Sequence, residues 1–221
     1  NIGKAHLGGF GGYEGVIKAK TELYSWIKSS NGTAFINADN PLLVEKSNGL
    51  NCIFYGTGEN NYVQAELIPD DDYLSLKYYN DSNSTCIHTQ LIGSYNFENT
   101  LAAICIGKTF QVPQAKIIAS IEQYTPSNSR SQLLKTKRNT IILDAYNANP
   151  SSMQAAIRNF VRIKADKKLM ILGDMLELGE ESTFEHASIV ELALSYKLTN
   201  SIFVGSEFCK TKHPEMRYFA N

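Results

Sequence analysis

The chain has 221 residues, with 21 Lys+Arg against 22 Asp+Glu, giving a formal charge of −1 and a pI near 6.5. A hydrophobic share of 43% suits a chain that buries a core, and 19% charged residues of balanced sign exclude a disordered polyelectrolyte. Near-zero charge also argues against a dedicated nucleic-acid binder, and no apolar run reaches the ~18 residues of a membrane span.

The chain opens on Asn1 and closes on Arg217-Tyr218-Phe219-Ala220-Asn221 without a stop signal, so we expect a fragment at both ends. Residues 1–12 form a glycine-rich loop. A helix follows over residues 13–28, with Val16, Ala19, Leu23 and Ile27 as its apolar stripe and Asn31-Gly32 as its stop. Residues 33–36 predict a strand that opens into a polar turn at 37–41. Residues 51–92 predict a small β insert, with strands near 52–55, 62–67, 73–79 and 85–92 and hairpin tips at 70–72 and 80–84. Two helices come next, 96–110 and 113–124, the second with Pro113 in its first turn. The polar stretch 125–129 is the best linker. Beyond it, strands at 140–143, 168–172 and 201–204 alternate with helices at 152–163 and 184–198, which predicts βαβ crossovers and a parallel sheet. Four cysteines (Cys52, Cys86, Cys105 and Cys209) are scattered without a CxxC, which favours a reducing, cytoplasmic setting.

Helical phase sets Lys20 in the apolar arc of Val16, Leu23 and Ile27, opposite Lys18, Glu22 and Ser25. A buried ammonium ion is costly, so a neutral Lys20 could act as a base, form a Schiff base or take up CO2 as a metal-binding carbamate. The alternative is that Lys20 carries its charge to the edge of the stripe. His6, between glycines, is a single imidazole with no HExxH or CxxC to support it. His186 could equally be a surface or a core residue. No GxxxxGK[ST] occurs, so a phosphate cradle would lie outside these residues.

Two strand ends carry acids. Asp144-Ala145-Tyr146-Asn147-Ala148-Asn149-Pro150-Ser151-Ser152-Met153 follows the apolar strand 140–143, and Gly173-Asp174-Met175-Leu176-Glu177-Leu178-Gly179 follows another. Ligands of open α/β sheets collect at such ends. Asn-Pro-Ser-Ser also reads as helix-capping text, which explains Pro150 to Ser152 but not Asp144 or Tyr146.

These two segments resemble signatures of the Mur ligase family. So do residues 1–7 with Gly15, Ala19 and Lys20, the run Asn37-Ala38-Asp39-Asn40, and residues 93–99 with Ala102 and Ala103. Five motifs in order cover nearly the whole chain. The resemblance implies an α/β fold: residues 1–128 as the later part of a central ATPase domain with the β insert, and residues 129–221 as a Rossmann-like parallel-sheet C-terminal domain, truncated. It implies an ATP-dependent, monomeric, cytoplasmic ligase of peptidoglycan precursor synthesis. That enzyme would join D-alanyl-D-alanine to a UDP-N-acetylmuramoyl-tripeptide through an acyl phosphate, with Mg2+. Residue by residue, His6 is similar to a magnesium ligand and Lys20 to a carbamylated, metal-facing lysine. Asn37 and Asn40 resemble adenine-side contacts, with Asn96 and Asn99 supporting that pocket. Arg130 resembles a phosphate-reaching arginine, and Asp144 a ribose-binding acid flanked by Tyr146 and Asn147. Asn149, Asp174 and Glu177 would lie nearer the peptide substrates. Tyr95 stands where the family usually has histidine, and the N-terminal sugar-nucleotide domain and the P-loop are not among these residues. The piece alone is expected to be inactive. Another Mur-type amino-acid ligase and a non-catalytic nucleotide-binding module are the competing expectations.

Overall fold

A computed structural model of the chain describes residues 2–3, 7–69, 73–80, 83–127 and 129–220. In chain order its elements are α1 (Leu7–Phe10), α2 (Tyr13–Ser29), β1 (Thr33–Asn37), α3 (Pro41–Lys46), β2 (Asn51–Gly56), β3 (Val63–Ile68), β4 (Ser75–Asn80), β5 (Asn83–His88), α4 (Phe97–Thr109) and α5 (Gln114–Gln123). After them come β6 (Gln132–Lys135), β7 (Thr140–Leu143), α6 (Pro150–Arg162), β8 (Met170–Gly173), α7 (Ser182–Ser195), β9 (Ser201–Val204), α8 (Ser206–Lys210) and β10 (Arg217–Phe219). No helix among the described residues is long and apolar enough to cross a membrane. The hairpin tip expected at 70–72 lies outside the described residues, as do positions 81 and 82 of the second.

Two compact units emerge: Lys20–Asp144, and Ile2–Ala19 together with the chain from Ala145 onward. The sequence reading places a domain boundary at 128/129. Residues 129–144 group with the first unit, where hydrogen bonds from Tyr95 and Ser131 hold Asp144. Residues 2–19 group with the second because Leu7 and Val16 are buried in its core.

In the first unit the strands form one sheet in the order β1-β2-β3-β4-β5. β1 and β2 are parallel and in full register from Thr33 opposite Asn51 to Asn37 opposite Tyr55. β3 overlaps β2 by only two parallel pairs, then continues into an antiparallel meander with β4 and β5. The β-like stretches thus extend the sheet that β1 begins. Period-2 alternation sends Val63, Ala65, Leu76, Tyr78 and Ile87 inward. Against them α4 presents Phe97, Leu101, Ile104 and Cys105, recurring at i, i+4, i+7 and i+8, and α5 adds Ile117, Ile118 and Ile121. Where a polar turn was expected through residue 41, helix α3 starts. The Asn40 side chain accepts from the Leu43 N–H at 3.2 Å and Pro41 takes the first turn, where its missing donor costs nothing.

β6 and β7 form a separate antiparallel hairpin, Gln132 opposite Leu143 through Lys135 opposite Thr140. Strand 140–143 was expected in the parallel sheet. It pairs instead with β6, because Thr136 accepts from the Arg138 and Asn139 amides and closes a tight turn between the two strands.

The second unit has an all-parallel sheet in the order β10-β9-β8. Its core is built from Met153 and Ile157 of α6, Ile189, Val190 and Ala193 of α7, and Phe203, Phe208 and Met216. Phe203 is wholly buried; it stacks on Tyr218 and meets Phe208 at a tilt of 49°. Its burial alone contributes about 1.5–3 kcal/mol.

Candidate functional site

The Tyr95 side chain is placed by Gly93. With φ at 92°, Gly93 lets the phenol ring fold back over its own Cα, and a Cβ there would lie 2.3 Å from the ring. Asn96 then starts α4, with its Nδ2 donating to the Ile92 carbonyl at 2.9 Å and its Oδ1 accepting from Asn99 Nδ2 at 3.4 Å. The phenol reaches the end of the β6–β7 hairpin. There the antiparallel register sets Ser131 across from Asp144, one step beyond the Gln132–Leu143 pair. Ser131 N–H donates to Asp144 Oδ1 at 3.2 Å, and Tyr95 O–H donates to Asp144 Oδ2 at 3.4 Å. The remaining proton of the trio is on the Ser131 hydroxyl, which therefore donates to the Tyr95 oxygen. A closed ring of three hydrogen bonds holds the carboxylate while Asp144 itself stays exposed. Burial pushes the Tyr95 phenol up to about 12; its contact with Ser131 opposes the rise and the Asp144 charge adds to it.

Ser131 was missed because β6 was not read and 125–129 was taken only as a linker. Its signal is backbone: Ser129 and Ser131 both sit in the left-handed region, at φ 58° and 50°, on either side of Arg130. Such conformations cost of order 1 kcal/mol each outside glycine, and here they turn the Ser131 amide toward Asp144. Arg130 is exposed between them.

A second set lies at the carboxyl end of β1. Asn37 is 3% exposed; its Oδ1 accepts from the Asp39 amide at 3.0 Å, and its Nδ2 has no partner among the described residues. A buried donor left unpaired costs about 1–3 kcal/mol, which marks Asn37 as a place where an acceptor belongs. Asn40 differs, its side-chain oxygen being spent on capping α3. Asp39, not singled out from the sequence, accepts from both N–H and O–H of Thr57 and ties the β1 end to that of β2.

Several expected site residues of the second unit have structural partners. Asn149 and Ser152 form a reciprocal capping box at the start of α6, with Ser152 N–H to Asn149 Oδ1 at 2.9 Å. Asp174 accepts from the amides of Glu207 and Phe208, both at 2.9 Å, and so caps α8. His186 is a core residue. Its Nε2 accepts from Met175 N–H at 3.0 Å, so the ring proton is on Nδ1, 2.7 Å from the Ser182 carbonyl. Glu177 takes φ 62° and its carbonyl accepts from Gly8 N–H at 2.9 Å, docking the glycine-rich loop on the loop that follows β8. A Cβ on Gly8 would come within 3.3 Å of the Gly179 amide. Tyr146 and Asn147 are exposed.

Two metal expectations come out differently. His6 lies outside the described residues. Lys20 is exposed, not buried as its helical phase implied, because Leu23 and Trp26 on the same helix are 57% and 66% exposed and only Val16 of α2 is buried. Among the described residues no group of three or more His, Cys, Asp or Glu could hold a metal ion.

Comparison with known proteins adds the family. Residues 1–107 match the Mur ligase middle domain and residues 129–215 the Mur ligase glutamate ligase domain. The chain is 33% identical to the UDP-N-acetylmuramoyl-tripeptide–D-alanyl-D-alanine ligase of Bacillus subtilis over 192 residues, covering 83% of this chain and 40% of that one. It is 31% identical to the Rickettsia prowazekii ligase of the same name, covering 93% and 47%. Among solved structures, MurF from Acinetobacter baumannii superposes with a TM-score of 0.86 at 27% identity, over 100% of this chain and 49% of that chain. The chain thus spans about half the length of these relatives, or less.

Proposed function

Since the chain belongs to the Mur ligase family, we propose that it forms part of an ATP-dependent ligase that adds D-alanyl-D-alanine to UDP-N-acetylmuramoyl-tripeptide. Residues 1–128 are the later part of its central domain, and residues 129–221 belong to its C-terminal domain. The observation that carries the proposal is Asp144: an exposed carboxylate at the end of a strand, fixed on one side by Ser131 and Tyr95, with its other lone pairs open to a nucleotide's ribose hydroxyls. The unpaired amide of Asn37 suits an acceptor nitrogen of adenine, and Asn96 and Asn99 stiffen the start of α4 beside Tyr95. Arg130 presents a guanidinium, the group best matched to phosphate oxygens.

In this reading, ATP transfers its γ-phosphoryl group to the terminal carboxylate of the tripeptide, giving an acyl phosphate and ADP. The free amine of the dipeptide attacks that carbonyl, loses a proton, and phosphate leaves as the amide forms. Mg2+ accompanies the nucleotide phosphates in the same reading, with His6 and a carbamylated Lys20 as its ligands on sequence correspondence alone. The described residues offer no such donor set, so no step is routed through the ion. In this reading Asn149, Asp174 and Glu177 lie toward the peptide substrates; Asn149 and Asp174 also cap α6 and α8, and the Glu177 carbonyl accepts from Gly8 while its side chain is exposed. Tyr146 and Asn147, exposed beside Asp144 in sequence, belong to the nucleotide side.

The test is phosphate release by the natural gene product given Mg2+, ATP and UDP-N-acetylmuramoyl-tripeptide, with and without D-alanyl-D-alanine. Release that depends on the dipeptide, and that Asp144→Ala lowers, supports the proposal. A folded protein whose release ignores the dipeptide refutes it.

A further inference from the structure

We infer that Tyr95 is a positioning residue for nucleotide binding, holding the Asp144 carboxylate at the angle that accepts the ribose hydroxyls. The inference rests on the reading of Asp144 as the ribose-binding acid. Three observations carry it. The phenol has one proton, and the ring of hydrogen bonds has one consistent polarity: Ser131 O–H to Tyr95, Tyr95 O–H to Asp144 Oδ2, Ser131 N–H to Asp144 Oδ1. Both donors to Asp144 therefore approach from the Tyr95–Ser131 side, and each carboxylate oxygen keeps a lone pair for a ligand. Next, the tyrosine pose is built in. Gly93 adopts φ 92°, a conformation L side chains rarely take, and any Cβ there would strike the phenol ring. Lastly, Ser131 is buried, so its hydroxyl depends on the Tyr95 oxygen as acceptor. With its pKa raised by burial, the phenol remains a neutral donor over the physiological range.

A carboxylate with two fixed donors has lost its freedom to rotate before the nucleotide arrives, and binding then spends less on ordering it. The hydroxyl of Tyr95 should accordingly matter to nucleotides with a full ribose and little to those lacking the hydroxyl that Asp144 accepts. A role confined to folding would instead weaken all nucleotides alike.

The experiment uses the natural gene product and the variants Tyr95→Phe, Ser131→Ala and Asp144→Asn, each checked for folding by circular dichroism. ATP, 2′-deoxy-ATP and 3′-deoxy-ATP are compared by KM and kcat, and the corresponding diphosphates by calorimetric Kd, which reads the contact without turnover. For Tyr95→Phe, loss of one charge-assisted hydrogen bond predicts a rise of about 5- to 20-fold in KM for ATP and Kd for ADP. kcat should stay within about twofold, and one deoxy analogue should lose its disadvantage against ATP. Ser131→Ala, which keeps the backbone donor and the Tyr95–Asp144 bond, should change KM less than about threefold. If Asp144→Asn weakens ATP while Tyr95→Phe leaves KM, Kd and ribose discrimination as they were, Tyr95 does not position Asp144 and the inference fails alone. If neither variant nor either deoxy analogue changes nucleotide binding, the ribose reading itself fails and takes the inference with it.

Discussion

Replacing Asp174 with alanine separates a structural carboxylate from a substrate-facing one. The Asp174 side chain is 12% exposed and accepts two backbone N–H bonds of 2.9 Å from Glu207 and Phe208, the first turn of α8. Hydrogen bonds to an ionised acceptor are worth about 1.5–3 kcal/mol each, and truncation also leaves both amides without their partner. Fraying of the five-residue helix α8 relieves part of that cost, so we expect a loss of about 3–4 kcal/mol out of the 5–15 kcal/mol typical of a folded protein. For a chain of this size each kcal/mol lowers Tm by roughly 2–4 °C, which predicts a drop of roughly 6–16 °C in a thermal melt. Amide exchange at Glu207 and Phe208 should accelerate first. Asp174→Asn keeps one acceptor oxygen but turns an NH2 toward an N–H donor, and should lose about half as much. Gly205→Ala approaches the same place from the other side: φ is 124° and its Cβ would lie 2.2 Å from the Asp174 carboxyl. In an Asp174→Ala background the steric part of that penalty should vanish, leaving only the backbone strain. A Tm unchanged within a degree, together with a tenfold higher KM for the dipeptide, would refute the capping argument and return Asp174 to the substrate.

Three further outcomes are expected. Asn149→Ala should destabilise by about 1 kcal/mol in urea unfolding, and Ser152→Ala by less, since the first removes the oxygen that receives the α6 amide. Cys86, exposed on β5, should react with a thiol reagent within minutes at pH 8. Cys105, whose thiol is pushed by burial up to about 11, should react only as fast as the protein unfolds. Tyr95 keeps its proton in the folded state up to about 12 but loses it near 10 when unfolded. Its contribution is therefore complete below pH 10 and is lost as pH rises through 12, by about 1–2 kcal/mol after allowance for its partial exposure. Urea titrations at pH 9 and 11 should show that slope in the parent, and a smaller one in Tyr95→Phe.

Where a signal is local and periodic, sequence and structure agree. Strands 140–143 and 201–204 match β7 and β9 in full, and the helix expected at 96–110 is α4, Phe97–Thr109. Asp144 was legible because an acid directly follows an apolar strand. Ser131 was not, because its importance comes from strand register and a left-handed backbone, neither of which residue type announces. Lys20 misled for a related reason: helical phase says which residues share a face, not whether anything covers it. Asp174, Asn149 and Asn40 show a different limit of residue type. Acids and amides at strand ends and helix starts look alike whether they serve a ligand or the backbone, and here the backbone amides of α8, α6 and α3 engage them.

The core of the second unit is discontinuous in sequence, and this bears on how the chain comes to be folded. Leu7 and Val16 are buried with Met153, Ile189 and Phe203, while residues 20–144 intervene. A ribosome delivers the glycine-rich loop first and its packing partners last, so Leu7 and Val16 remain solvent-facing while residues 20–144 are made. Closing so long a loop adds little to the equilibrium cost but slows the search. The same geometry governs dissection of the gene: a piece that begins at Ala145 lacks two side chains of its own interior. Supplied as a separate peptide, residues 2–19 would be the natural complement to it.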